Sequence, residues 1–183
     1  MPSRVVFVTG AGRGVGRAVA RRFARDGYAV ALFGRSHGPL RETTDALLAL
    51  GAEVLPFTGD VGSREDVHAA VALTEQRLGP IDVLVNNAGI AESAPFASMD
   101  DGLWDRTIAT NLTGTYNCMR AIVPGMFARG FGRVINIAST AARAAFPYTA
   151  AYVASKHGVL GLTRAVALEA QKRGVTVNAI CPG

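Results

Sequence analysis

At 183 residues, with 49% hydrophobic and 18% charged side chains, the chain has the size and composition of one packed domain, and global disorder is excluded. Its 21 glycines and 8 prolines are dispersed, which excludes collagen-like and linker arrays. The formal charge of +5 comes mostly from scattered arginines, and basicity of that kind describes solubility rather than a nucleic-acid partner.

No apolar run approaches the roughly 18–20 residues needed to span a bilayer. The first strand-like run begins at residue 5, leaving no room for a leader, so a cytoplasmic protein is expected. Cys118 and Cys181 are the only cysteines, too few for a disulfide scaffold. No Cys or His lies at metal-ligand spacing, so no metal is expected. Arg17, Arg21 and Arg25 repeat every four residues, the stripe of a solvated helix face. No basic–aromatic pattern for nucleic acid accompanies them.

Strand-like runs occupy residues 5–8, 29–33, 53–57, 83–86, 134–138 and 176–180. Helical patterns fill 15–26, 39–50, 63–78, 104–129 and 152–172. The strands read as continuous apolar runs, as expected when helices cover both faces of a parallel sheet. The spacing therefore predicts a six-stranded, doubly wound α/β sheet of the Rossmann kind, in a single domain spanning 1–183.

The first strand runs into Thr9, Gly10, Ala11, Gly12, Arg13, Gly14, Val15 and Gly16. This is a T-G-x-x-x-G-x-G turn rather than G-x-G-x-x-G. Its glycines admit a pyrophosphate close to the backbone, at a helix start whose free N–H groups favour negative charge. After the second strand, Gly34 stands where an acidic residue would accept the ribose hydroxyls of NAD, and Arg35 follows it. With Arg13 in the turn, two guanidinium groups suit a 2′-phosphate, so NADP(H) is favoured over NAD(H). Asp60 and Val61 follow the third strand, where the carboxylate is placed to meet an adenine amino group. Asn87, Ala88 and Gly89 follow the fourth, where small residues let a ribose approach. Tyr152 and Lys156 share one helix face, and a neighbouring cation favours a phenolate over a phenol. Ser139, thirteen residues before Tyr152, closes the fifth strand within reach of a carbonyl oxygen.

Thr9–Gly16, Asp60, Asn86–Gly89, Asn111, Ser139, Tyr152, Lys156 and Pro182-Gly183 match, in order and spacing, the motifs of the short-chain dehydrogenases/reductases, and the chain resembles that family along its whole length. The resemblance implies that Tyr152 is the general acid/base and that Lys156 assists it and holds the nicotinamide ribose. It implies that Ser139 polarises the carbonyl and that Asn111 holds a water relaying protons to Lys156. Pro182 and Gly183 would lie beside the cofactor. Within the family the strings around Ser139 and Tyr152 are similar to those of 3-oxoacyl-thioester reductases and polyketide ketoreductases. The implied substrate is a ketone or secondary alcohol, carrier- or CoA-linked, and Phe146 is a candidate wall for its acyl chain. A homodimer through 104–129 and 152–172 is also implied, with Arg129, Lys172 and Arg173 as a candidate patch for an acidic carrier. Family members continue past the Pro-Gly turn into a substrate lid and a seventh strand, so the expected alternative is a partial chain that binds nucleotide or a partner without useful turnover.

Overall fold

The computed structural model describes residues 4–183. Six strands form one parallel sheet: β1 (Val5–Thr9), β2 (Ala29–Gly34), β3 (Val54–Thr58), β4 (Ile81–Asn86), β5 (Gly132–Ile137) and β6 (Val175–Ile180). Their spatial order is β3-β2-β1-β4-β5-β6. Between them run α1 (Gly14–Arg25), α2 (His37–Leu48), α3 (Arg64–Arg77), α4 (Asp101–Ile108), α5 (Gly114–Arg129) and α6 (Ala150–Glu169).

Strand periodicity explains the apolar runs. Val5 and Phe7 of β1 enter one core layer, while Val6 and Val8 enter the other. β2 repeats the division, with Ala29, Ala31 and Phe33 on one side and Val30 and Leu32 opposite. Both faces are thus buried. Pro56, which has no N–H to donate, sits in β3, the strand at one end of the sheet order.

Strand order reverses direction between β1 and β4. Ligands of open α/β sheets collect outside the strand C-termini at such a point. Thr9, Asn86 and Ala138–Ser139 therefore all end at one rim.

The region expected as a single helix over 104–129 is interrupted. A π turn, Ala109–Thr113, separates α4 from α5. Its wider hydrogen-bond ring disturbs the regular ladder, and the Thr115 hydroxyl donates to the Asn111 carbonyl at 2.8 Å. Periodicity alone reads straight through such an insertion. Among the described residues, no helix is long and apolar enough to cross a membrane, and no three His, Cys, Asp or Glu side chains gather as a metal cluster.

Candidate active site

The glycine turn is closed by its neighbours. Thr9 Oγ1 accepts from the amides of Asn87 and Ala88, both at 3.0 Å, and Asn87 Nδ2 donates to Thr9 O at 3.0 Å and Gly10 O at 3.3 Å. The ends of β1 and β4 are thereby tied at the switch point. Gly10 has φ +63°, and a Cβ there would come within 2.9 Å of the Ala88 backbone.

The start of α1 is left open. Arg13 precedes it without a side-chain cap, and its first turn carries no acidic residue. By contrast α3 is capped by Ser63, whose hydroxyl accepts from the Asp66 amide, and it begins with Glu65 and Asp66. An uncapped helix start with no competing carboxylate is suited to an anion.

A cleft of about 310 Å³ lies over this rim, lined by Gly10, Gly12, Arg13, Val15, Asn87, Ala88 and Gly89 among the expected cofactor residues. Arg35 lines it too, its guanidinium half-exposed and 3.9 Å from Asp60 Oδ2. Asp60 is fixed by local bonds: its Oδ1 accepts from the Gly62 amide at 2.8 Å, and its own N–H donates to Asp66 Oδ2 at 2.8 Å. Gly59 and Val61 line the cleft, whereas the Asp60 carboxylate stands beside it. Gly14 and Gly16 lie outside the lining and shape the turn instead.

At the Gly89 end the cleft meets a group of polar side chains. A Cβ on Gly89 would lie 3.3 Å from Asn111 Oδ1 and 3.7 Å from Lys156 Nζ. Asn111, 1% exposed, accepts from the Ile90 amide at 2.8 Å and donates to Ile90 O at 2.9 Å and Ser155 Oγ at 3.0 Å. Lys156 Nζ donates to Ile137 O at 2.8 Å and sits 5.7 Å from the Tyr152 ring centroid. Burial lowers its pKa from 10.5 to about 8, with Cys181 acting in the opposite direction. Ser139 Oγ accepts from the Ala141 amide at 3.1 Å. That bond uses its acceptor side, and its O–H has no acceptor among the described residues. The Tyr152 hydroxyl likewise has no partner among them. Pro182 O accepts from the Thr140 amide at 2.8 Å, and Gly183 lies against Thr140, which brings the Pro-Gly pair beside Ser139.

An open helix start, a cleft along the sheet rim, and a lysine beside a tyrosine at its far end are on one surface. The family model described as short chain dehydrogenase matches residues 4–183. The chain is a short-chain dehydrogenase. It is therefore an oxidoreductase of a family that uses NAD or NADP to act on CH–OH groups.

Among relatives of this short-chain dehydrogenase is a Streptomyces coelicolor protein assigned as a ketoacyl reductase, 43% identical over 183 residues, covering 99% of this chain and 70% of the relative. A 3-oxoacyl-(acyl-carrier-protein) reductase FabG of Staphylococcus epidermidis is 37% identical over 182 residues, covering 99% and 75%. The crystal structure of an actinorhodin polyketide ketoreductase variant with NADPH superimposes with a TM-score of 0.97 at 42% identity, covering 100% of this chain and 72% of that one.

One sequence expectation needs correction, and another gains a place in the fold. Arg17 is not a solvated member of a helix stripe: its guanidinium contacts Gly12 O, Thr43 and Glu42. Arg129, Lys172 and Arg173 lie where α5 and α6 return to the N-terminal ends of the strands. There Arg129 donates to Ile81 O at 2.7 Å and Arg173 stacks on Phe127. They stand at the sheet end opposite the cleft. Thr110 and Ser155 were not anticipated. Thr110 lines the cleft from the π turn, and Ser155 relays Asn111 to the Tyr152 carbonyl. Only Ser155 has a signal in the sequence, its place three residues after Tyr152 on the same helix.

Proposed function

We propose that the chain is an NADP(H)-dependent carbonyl reductase whose substrate is a 3-oxoacyl or polyketide-type thioester, linked to a carrier or to CoA. The observation that carries this reading is the juxtaposition of Lys156 and Tyr152 with the Gly89 end of a cleft that begins at an uncapped glycine turn.

In this reading the amides at the start of α1 take the pyrophosphate, Arg13 and Arg35 take the 2′-phosphate, and Val61 and Asp60 flank the adenine. Asn87, Ala88 and Gly89 give close passage to the nicotinamide ribose, and Pro182 and Gly183 border the nicotinamide. The bound cofactor supplies a hydride for the carbonyl carbon. The unspent Ser139 hydroxyl donates to the carbonyl oxygen and polarises it. Tyr152 delivers the proton that the developing alkoxide takes up. The Lys156 ammonium stabilises the negative charge then left on the ring oxygen. Asn111 Oδ1 retains a lone pair that can hold a relay water beside Lys156. Phe146, half-exposed in the loop before α6, provides an apolar wall for the acyl chain. A homodimer through α4–α5 and α6 would cover Trp104, Tyr116 and Leu168, which are exposed in the single chain.

NADPH consumption with an acetoacetyl thioester tests the reading. Turnover with the thioester and little with a short simple ketone supports the substrate class. Tight NADPH binding with no turnover on any ketone favours the nucleotide-binding alternative.

The buried lysine sets a pH dependence. Below about 8 Lys156 carries its charge, and above that pH it loses the proton and the stabilising cation. The kcat/KM for reduction is therefore expected to fall about tenfold per pH unit above the Lys156 pKa. Lys156→Arg keeps its charge throughout and should move that limb to higher pH. A limb that stays in place belongs to another group.

A further inference from the structure

We infer that Arg17 and Thr43 are a positioning pair that aims the amides of the glycine turn into the cleft and fixes that turn to the corner bearing Arg35. The inference rests on reading the cleft as an NADP(H) site.

Arg17 lies one turn into α1, yet its guanidinium is turned back on the backbone. Nε and Nη2 reach Gly12 O at 3.1 and 2.6 Å, and Nε also reaches Thr43 Oγ1 at 3.0 Å. Nη2 further contacts Glu42 Oε2 at 2.9 Å and Pro39 O at 3.4 Å. Thr43 on α2 is fully buried, and its single hydroxyl proton is shared among Pro39 O at 3.0 Å, Ala11 O at 3.2 Å and Gly12 O at 3.3 Å. Neither side chain lines the cleft. The Arg17 charge is thus spent on Glu42 and on carbonyls, away from any bound anion.

In a trans peptide the C=O and the following N–H point in opposite directions. Drawing the Ala11 and Gly12 carbonyls toward Arg17 and Thr43 turns the amides of Gly12 and Arg13 the other way. Gly12 and Arg13 line the cleft, and neither amide has an acceptor among the described residues. The pair therefore orients the donors that a pyrophosphate would meet.

The same bonds join two walls. Arg35 and Ser36 lead directly into α2, and Ser36, Pro39 and Leu40 line the cleft beside Gly12. A Cβ on Gly12 would stand 3.2 Å from Pro39 Cβ, so turn and helix are in close contact. Arg17 and Thr43 thereby set the spacing between the pyrophosphate turn and the 2′-phosphate corner. NADPH places its 2′-phosphate at that corner and depends on the spacing, whereas NADH shares the turn but brings only a 2′-hydroxyl to the corner.

The test is cofactor affinity, by calorimetric titration, in Arg17→Met, which keeps the apolar stem, and in Thr43→Val, which keeps the shape and serves if the first variant does not fold. We expect NADPH to bind at least about tenfold more weakly, the scale of a lost charge-assisted hydrogen bond, and NADH to change about threefold or less. The KM for NADPH should rise while kcat at saturating NADPH is retained. In an Arg35→Ala background, Arg17→Met should affect the two cofactors equally. Equal losses for both cofactors in the single variants overturn the link to the 2′-phosphate corner, no loss for either overturns the positioning role altogether, and both results leave the proposed function intact. Wild-type protein that shows no preference for NADPH overturns both.

Discussion

Tyr152→Phe is expected to lower kcat for ketone reduction by about 10²–10⁴, the range a positioned general acid contributes, while NADPH affinity changes little. The expectation follows from what the hydroxyl touches. It has no partner among the described residues, so its removal leaves no protein group unsatisfied. The ring keeps its place over Lys156, 5.7 Å from the ammonium, and Lys156 keeps its bond to Ile137 O. The loss should therefore fall on the proton and not on the scaffold. Steady-state NADPH consumption, with a separate binding titration, separates the two quantities. A variant that binds NADPH normally and still turns over at the wild-type rate would remove Tyr152 from the chemistry.

Gly16→Ala should abolish measurable NADPH binding and destabilise the fold by about 1–3 kcal/mol or more, as overpacking in a rigid site does. A Cβ at Gly16 would collide with the Gly10 carbonyl and come within 2.5 Å of Asn87 Nδ2. Those atoms cannot retreat without breaking the bonds that close the turn onto β4. Gly14 provides the control. Nothing lies within 4 Å of a Cβ there, but its φ of +54° is left-handed. Gly14→Ala should cost about 1 kcal/mol through backbone strain alone. Denaturant unfolding and an NADPH titration on both variants check the contrast. Equal costs at the two positions would mean that the turn relaxes around a side chain.

Much of this arrangement was legible in the sequence because it depends on local signals. The continuous apolar runs of β1, β2 and β4 announce burial on both faces, and the glycines after β1 announce an open turn. Tyr152 and Lys156 are one helical turn apart, so their shared face follows from periodicity. What the sequence did not disclose depends on contacts distant along the chain. The π turn at Ala109–Thr113 leaves the apolar pattern of 104–129 intact while breaking its hydrogen-bond ladder. Arg17 fits a solvated stripe by spacing, yet its partners come from the turn before α1 and from α2, 25 or 26 residues away in the case of Glu42 and Thr43. The basic cluster of Arg129, Lys172 and Arg173 was visible as charge, but only the direction of α5 and α6 shows that it faces away from the cleft.

The central claim is that the glycine turn and the Tyr152–Lys156 pair serve one reaction across one cleft. The most direct measurement is transfer of deuterium from NADPH labelled on the nicotinamide to the carbonyl carbon of an acetoacetyl thioester, followed by mass spectrometry of the product. The account predicts label on the new carbinol carbon with the wild-type chain, and label accumulating about 10²–10⁴ more slowly with Tyr152→Phe. Tight NADPH binding by the wild-type chain with no label in any product would contradict it.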